Sequence, residues 1–466
     1  MPLMTVQGAS AGAHVVVTVD GALTDQLASL VSDFSSTLTG EIGGIDGINL
    51  VPGSTAFGGN GIGYGVATVA GSYSVTGGVG AIVFGGAIGS GVPSIHTQID
   101  ASGVTSSFVS VEGGTTGGVQ FQAGSSAGLF VAGAGNNAFT GDQLSNAGNW
   151  MVFAGSGNDT VIAGAGQNTI NAGAGDNFVN VSNGTNTVYS YGHDTIYGGD
   201  SASNQTVSLY GGSSFVTVGK NSYVENVAGG GSNNAITVGG GSTVIGGTDD
   251  TISLNGGYST VMTGVGDTIS ASGDAWVQYA VNADVSVAGS LTFVGGYGSS
   301  TITAGQSTIY GSNGMNVTLN ATEPGSGKTI FSGGTGNETL NASGSTYGVA
   351  AYGNNAGTTG SQVFIGGTGA DTLVAGVGDA TMTGGSGQAN TFAFRDGVAG
   401  GNYVITDFGS AVGNTVGLLN YSQSELQSAL SNQVSANGST TLKLDDGTTI
   451  LFQNVASLNS GDFQIW

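Results

Sequence analysis

The sequence is poor in charge, and above all in positive charge. Only 7% of its 466 residues are charged, against about 25% in an average soluble protein. Four basic residues stand against 28 acidic ones, which gives a formal net charge of −24. Because proteins bind phosphate backbones and anionic membrane surfaces through lysine and arginine, we expect no nucleic acid and no anionic membrane as a partner. The apolar runs are too short for a membrane-spanning segment.

Cysteine is absent, and proline occurs only four times. Without cysteine there is no disulfide, no thiolate metal site and no cysteine nucleophile. Four prolines exclude a collagen helix, and a mean hydropathy of +0.17 argues against intrinsic disorder. The first residues, MPLMTVQGASAGAHVVVTVDG, lack the basic and apolar regions of a secretory signal peptide. We therefore expect any export signal to lie elsewhere in the chain.

Catalytic motifs are also scarce. The HExxH motif of metalloproteases is missing, and the three histidines, His14, His96 and His193, lie far apart in the sequence. Residues 124–128, GSSAG, fit the pattern G-x-S-x-G, but such a match is expected by chance in a chain so rich in glycine and serine. We therefore expect that the protein is not an enzyme.

Glycine, in contrast, contributes 92 residues and recurs with a period. Four consecutive nonapeptides begin at Ala154: AGSGNDTVI, AGAGQNTIN, AGAGDNFVN and VSNGTNTVY. A similar block, AGAGNNAFT, begins at Ala132, and GGTGADTLV, AGVGDATMT and GGSGQANTF follow one another from Gly366. Each block combines glycine with Asn or Asp, which tolerate positive φ in turns, and in most blocks a threonine and an aliphatic residue follow, which favour strands.

This period predicts an all-β fold, a parallel β-solenoid. The aliphatic residue at the centre of each short strand points inward, and the preceding threonine points outward. A step of about nine residues is half a coil, so two blocks complete one coil, and successive coils pair about 4.8 Å apart through backbone hydrogen bonds. A glycine-rich β-sandwich is the alternative, but its hairpin strands run longer than three residues.

Composition divides the chain into four regions. Residues 1–49 form an N-terminal cap with an amphipathic helix predicted over 21–39, which covers an open end of the solenoid or, alternatively, binds a partner. Residues 50–130 form a glycine-rich β region, for which contact between subunits is one expected role. Residues 131–394 form the solenoid, and residues 395–466 a β-rich C-terminal cap.

The repeats resemble a known family. Residues 366–374 match the pattern G-G-x-G-x-D-x-U-x throughout, and residues 155–162 match its last eight positions. They resemble the RTX, or hemolysin-type calcium-binding, repeats of type I secreted bacterial proteins. The C-terminal segment, with ITDF at 405–408, a hairpin predicted around 445–447 and DFQIW at the end, looks like the secretion region of that family. The resemblance implies an extracellular protein that the type I secretion machinery exports.

The resemblance also implies calcium, held by backbone carbonyls and by one aspartate from each of two stacked turns. The aspartate position is filled by Asp159, Asp194 and Asp371, and by Glu338 as a substitute. Further candidate ligands are Asp176 and Asp379, one residue early, and Asp267 in a shortened block. Because asparagine fills this position in many other blocks, we expect calcium at a few turns, first near Asp159 and Asp371. A largely metal-free solenoid with asparagine ladders is the alternative.

Three functions fit these features. We favour a secreted, self-assembling structural protein of a filament, surface layer or biofilm matrix, whose partner is another copy of itself. A surface of Ser, Thr, Asn and Gly permits close packing, and contacts between open ends that do not close produce filaments. A cell-surface adhesin or ice-binding-type solenoid is the alternative. An enzyme with an RTX tail is the third hypothesis, and it lacks a recognisable catalytic domain.

Overall fold

The computed structural model describes residues 3–20, 24–41, 45–58, 62–199, 203–227, 231–323, 329–355 and 360–466. The chain divides into two compact units, Met1–Gly247 and Thr248–Trp466. In both units most strands pair in parallel, mainly with strands two positions away in the chain. The fold is therefore a parallel β-solenoid, which confirms the prediction from the nonapeptide period.

Within its described residues, the first unit holds one helix, α1 (Thr24–Glu41), and 24 strands. The strands, numbered β1 to β24 in chain order, are Leu3–Gln7, His14–Thr18, Ile45–Asn49, Gly53–Phe57, Ile62–Ala67, Gly71–Gly77, Val79–Phe84, Gly86–Ala87, Thr97–Val104, Phe108–Gly113, Val119–Gln122, Ala127–Val131, Ala138–Thr140, Trp150–Phe153, Thr160–Ile162, Gln167–Gly173, Phe178–Asn180, Thr185–Ser190, Thr195–Tyr197, Thr206–Leu209, Phe215–Val218, Tyr223–Asn226, Ala235–Gly239 and Thr243–Ile245.

The second unit holds strands β25 to β44, the helix α2 (Gln423–Ser431) and a 3₁₀ turn at Ser460–Asp462. Its strands, in chain order, are Thr251–Asn255, Ser259–Met262, Thr268–Ala271, Ala275–Gln278, Asp284–Val294, Gly298–Tyr310, Met315–Ala321, Thr329–Ser332, Glu338–Asn341, Val349–Tyr352, Gly360–Ile365, Thr372–Val374, Gly378–Thr383, Thr391–Arg395, Asn402–Ile405, Thr415–Leu419, Val434–Ala436, Ser439–Lys443, Thr449–Phe452 and Phe463–Ile465.

The register of the strands explains the core. In β15, β17 and β19, Val161 pairs with Val179 and Val179 with Ile196, and all three side chains are buried. Val161 and Val179 are two nonapeptides apart, so two blocks complete one coil, as predicted. Thr160 and Thr195, which precede the aliphatic residues, are exposed. Stacked aliphatic side chains thus form the interior, and threonine side chains lie on the outside.

The turns depend on glycine at particular positions. Gly155 and Gly173 occupy the same turn position in successive coils, with φ of +95° and +80°. A Cβ on Gly173 would collide with the carbonyl oxygen of Gly155, so both the backbone conformation and the close approach of the coils require glycine here.

Residues 50–130, which the sequence sets apart, pair in the same way as the repeats. Strands β4, β6, β9 and β11 form one parallel series, and β5, β7, β10 and β12 form another. The parallel pairing in the first unit therefore begins before residue 131, without the aspartate-bearing turns that mark the repeats in the sequence.

The helix α1 begins near the predicted position but covers a side of the solenoid. Its buried Leu27, Val31 and Leu38 pack in one cluster with outward-facing residues of β5, β7, β12 and β14, and with the β1–β2 hairpin. The helix therefore covers this outer face, and its role as a cap on an open end of the solenoid stays a prediction. Helical spacing identifies the apolar face of a helix, but not the surface that this face covers.

The C-terminal segment continues the parallel pairing through β38, β40 and β44. The hairpin predicted around 445–447 is present as antiparallel strands β42 and β43. Helix α2 was not predicted; it begins after Ser422, whose Oγ accepts a hydrogen bond from the backbone N–H of Glu425 at 3.1 Å. Neither helix in the described ranges is long and apolar enough to cross a membrane.

Candidate functional site

A column of buried polar side chains follows one edge of the solenoid in the first unit. Its members directly precede successive strands of one series, and each stands at the repeat position where calcium ligands were predicted. They are Asn137, Asp159, Asn177, Asp194, Ser214 and Asn234, all at most 3% exposed.

Each member of this column accepts a hydrogen bond from the preceding coil. The backbone N–H of Asn137 donates to Asp159 Oδ1 at 2.6 Å, and that of Asp159 donates to Asn177 Oδ1 at 2.8 Å. The N–H of Asn177 donates to Asp194 Oδ1 at 3.0 Å. Because a buried backbone N–H needs a partner, these oxygens have a structural use whether or not a metal binds.

A second column follows the opposite series of strands and is neutral throughout. It contains Asn168, Asn186, Gln205, Ser222 and Ser242. Trp150 N donates to Asn168 Oδ1 at 2.9 Å, and Asn186 N donates to Gln205 Oε1 at 3.0 Å. In this column, amide and hydroxyl oxygens therefore accept the hydrogen bonds from the backbone N–H groups, and no carboxylate is needed.

The side-chain amide of Asn137 lies among oxygens from two adjacent coils. Its Nδ2 donates to the carbonyl oxygens of Gly135 and Ala154, each at 2.9 Å, and to Asp159 Oδ1 at 3.1 Å. Asn168 Nδ2 repeats the pattern in the second column, where Gly166 O and Asn186 Oδ1 accept its hydrogen bonds. Carbonyl and carboxylate oxygens are also the ligands of calcium. In both columns, the NH₂ group of the asparagine therefore lies among oxygen atoms of the kind that would coordinate a calcium ion.

Asp159 occupies the same position one coil later, because Ala138 pairs with Thr160. Its side chain is 2% exposed, and its Oδ2 has no hydrogen-bond partner. Burial raises the pKa of Asp159 to about 7, although the hydrogen bonds from Asn137 act in the opposite direction. A buried carboxylate oxygen without a donor requires a proton or a cation, so this turn fits calcium.

Asp267 presents the same chemistry in the second unit. Its Oδ1 accepts a hydrogen bond from the backbone N–H of Asp250 at 3.0 Å, while its buried Oδ2 has no partner. Burial raises the pKa of Asp267 to about 7, and the nearby carboxylates of Asp250 and Asp249 raise it further. Asp267 therefore also fits a cation.

Three other predicted ligands have both carboxylate oxygens hydrogen-bonded. Asp194 Oδ2 accepts from Ser190 Oγ at 2.6 Å. Asp371 accepts from the backbone N–H groups of Val349 at 2.7 Å and Gly367 at 2.8 Å, and both oxygens of Glu338 accept from Gly334 N. Burial still raises the pKa of each group, to about 6 for Asp371 and about 7 for Glu338.

The last two predicted ligands lie outside the buried columns. Asp176 is exposed, and its Oδ1 lies 3.5 Å from Nδ1 of His193. Asp379 is exposed and accepts a hydrogen bond from Asn402 N at 2.8 Å. Within the described residues, no three His, Asp or Glu side chains gather as a metal cluster. A calcium site in these turns would therefore rely on backbone carbonyls around a single carboxylate.

Two acidic residues escaped the sequence-based prediction. Asp407, in the ITDF phrase, accepts hydrogen bonds from Gly384 N and Gly385 N, each at 2.8 Å, so it closes the turn of a preceding coil. Glu112 is buried beneath α1. The ITDF phrase itself was a signal for Asp407, whereas Glu112 stands outside any repeat block.

Comparison with known proteins supports the calcium interpretation of the turns. A family model, the RTX calcium-binding nonapeptide repeat, matches the chain in four copies, at residues 153–188 and 356–388. These ranges include Asp159 and Asp371. No curated protein and no solved structure matches the chain.

Proposed function

We propose that this chain, an RTX-type repeat protein with calcium-binding repeats, is a secreted structural protein that binds calcium at a few turns and assembles with copies of itself outside the cell. The repeats and the solenoid fold support the calcium-binding part. The proposal of self-assembly rests on the exposed side chains of the solenoid. The proposal of export rests on the resemblance of the C-terminal segment to the RTX secretion region.

The unpartnered Oδ2 of Asp159 is the observation that carries the calcium proposal. The glycines of its own turn, Gly155 and Gly157, correspond in the repeat to Gly133 and Gly135, whose carbonyl oxygens face the amide of Asn137. Asp159 and the carbonyl oxygens of Gly155 and Gly157 would hold one ion, and Asp267 would hold a second ion at another turn. Asp371 stays a candidate because it lies in a matched repeat. Bound calcium neutralises the buried carboxylate and links adjacent coils.

This arrangement couples folding to export. In a cytoplasm with little free calcium, buried carboxylates disfavour the folded turns, and a glycine-rich chain loses much conformational entropy on folding. The chain then stays available for the type I secretion machinery, which would recognise its C-terminal region. Outside the cell, calcium favours the folded coils.

Exposed aromatic side chains on adjacent strands support self-assembly. Phe178, Tyr197 and Phe215 lie on strands β17, β19 and β21, which pair in sequence, and these side chains are 39%, 48% and 63% exposed. Phe178 and Phe215 share one register row with Thr160 and Thr195. Exposed apolar side chains on a sheet favour association with another protein surface, and a chain in which only 7% of the residues are charged suits a second copy.

Electron microscopy and sedimentation with calcium test the assembly proposal. We expect ordered multimers of the wild-type protein, and their loss in the double variant Phe178→Thr, Phe215→Thr, because threonine already occupies the neighbouring positions of this row. Tyr297→Thr, which removes an aromatic side chain that is 70% exposed in the other unit, is the matched control. Monomeric wild-type particles, or unchanged assembly of the double variant, would contradict the proposal.

A further inference from the structure

A cavity of about 400 Å³ lies between α1 and the strands beneath it. Its walls are mainly apolar, with Leu30, Phe34 and Leu38 from the helix and Tyr64, Phe108 and Leu129 from the solenoid. The volume falls within the range of small-molecule binding sites, roughly 300 to 1,000 Å³.

An acidic residue interrupts the apolar row at the base of this cavity. In register, the row reads Val66, Val83, Glu112, Val131 and Phe153, all buried. A buried carboxyl group in an apolar row is unfavourable unless its oxygens have partners. Packing alone therefore does not explain Glu112.

The partners of Glu112 are incomplete. Its Oε1 accepts a hydrogen bond from Ser110 Oγ at 2.8 Å, but its buried Oε2 has no partner. The Tyr64 hydroxyl, which also lines the cavity, already donates to the carbonyl oxygen of Gln7. Glu225 offers a comparison on the outside of the same series of strands, since Ser208 Oγ donates to its Oε1 at 2.8 Å and the Tyr223 hydroxyl to its Oε2 at 2.9 Å. Glu112 lacks that second partner.

The charges around the cavity restrict what it can bind. Asp33 lies exposed at the rim, and no basic residue lies among the lining residues, so an anion is disfavoured. Burial raises the pKa of Glu112 to about 8, which leaves the carboxyl group neutral at pH 7 and able to donate an O–H. Burial also raises the pKa of Tyr64 above its ordinary value, so that phenol stays neutral too.

We propose that the cavity under α1 binds a small, uncharged, largely apolar molecule whose single carbonyl or hydroxyl oxygen accepts a hydrogen bond from the Glu112 carboxyl group. The apolar body of the ligand contacts Leu30, Phe34 and Leu129. The site is independent of the calcium turns and of self-assembly.

Calorimetric titration of the full chain with three chain-matched probes, 2-octanone, octanoate and octylamine, tests the proposal. At pH about 6 we expect saturable binding of the ketone and binding of octanoate weaker by about tenfold or more. Binding of the ketone weakens as pH rises through the pKa of Glu112. Asp33→Asn retains this pH dependence, which separates the rim carboxylate from Glu112.

Substitutions at Glu112 identify the donor. Glu112→Gln keeps an N–H donor of the same shape, so we expect binding that no longer depends on pH. Glu112→Leu removes the donor and weakens binding of the ketone, and Glu225→Leu is the matched control that leaves it unchanged. The proposal is overturned if no probe binds saturably, if octanoate binds as well as the ketone, or if octylamine binds best and gains affinity with rising pH.

Discussion

Replacing Asp159 with asparagine gives this turn the amide that Asn137 has one coil earlier. In the calcium-free wild-type protein, Asp159 Oδ2 is buried without a donor. In Asp159→Asn, the new NH₂ group can donate to the carbonyls of its own turn, as Asn137 does to Gly135. We therefore expect the variant to be more stable than the wild type in the presence of a chelator, and we expect calcium to add no stability at this turn.

The magnitude follows from the buried carboxyl group. An unsatisfied buried acceptor costs about 1–3 kcal/mol. The pKa of Asp159 rises from 3.8 to about 7 on folding, and at about 1.4 kcal/mol per pKa unit this shift sets an upper limit of about 4 kcal/mol. Because the folded-state pKa is raised, the protonated form is favoured in the fold. The contribution of Asp159 to the stability of the calcium-free wild type is therefore greatest below pH 3.8, falls as pH rises to about 7, and stays low above that.

We thus expect Asp159→Asn to stabilise the chelated protein by about 1–3 kcal/mol at pH above 7, with no difference near pH 3. Because solenoids unfold locally, hydrogen exchange at the amides of Asn137 and Thr160 is the appropriate assay. Both donate to neighbouring coils of this column, Asn137 to Asp159 and Thr160 to the Asn137 carbonyl.

Asp176→Asn is the matched control, because it makes the same change at an exposed carboxylate, and we expect no change in protection. Lower protection of Asp159→Asn in the chelator, or a calcium response equal to that of the wild type, would refute the reasoning.

Three further predictions concern the repeats. Asn137→Asp replaces the donor NH₂ by an oxygen; it should destabilise the chelated protein by about 1–3 kcal/mol and add one calcium ion in calorimetry, and an unchanged stoichiometry would contradict this. Gly173→Ala meets a positive φ and the Gly155 carbonyl, so thermal denaturation should show a loss of more than about 1 kcal/mol, and an unchanged transition would be inconsistent with the turn geometry. Ile252→Ala removes a fully buried side chain and should cost about 2–5 kcal/mol in urea denaturation, whereas Thr251→Ala, on the exposed face, should cost far less.

The sequence predicts the coil well because the same pattern of turn and strand residues recurs in many blocks. Every block places an apolar residue at the strand centre, and Val161 and Val179 therefore meet in the core. Residues 50–130 carry the same parallel pairing without repeated aspartate turns, so the signal is weaker there. The position of α1 depends on which outer face offers an apolar surface, and that face forms only after the strands stack.

Residues at the same motif position in the calcium turns have different hydrogen-bond partners in the structure. Asp159 and Asp371 fill the same motif position, yet Asp371 accepts a hydrogen bond from Gly367 N, while Asp159 Oδ2 has no partner. In the turn of Asp159, the glycine four residues earlier, Gly155, adopts a φ of +95°. A repeat motif identifies a possible ligand, but the conformation of each turn decides whether its second oxygen is free. Asparagine at this position places its NH₂ group among the oxygens that would otherwise bind a cation. It therefore replaces the cation and is not merely a lost ligand.

Long-wavelength anomalous diffraction from crystals grown with calcium tests the central claim most directly, because it locates each ion in the chain. We expect calcium beside Asp159 and beside Asp267, and none at the oxygen-lined positions that the amides of Asn137 and Asn168 fill. Ions in the amide-filled turns, or no ion at either aspartate, would contradict the account.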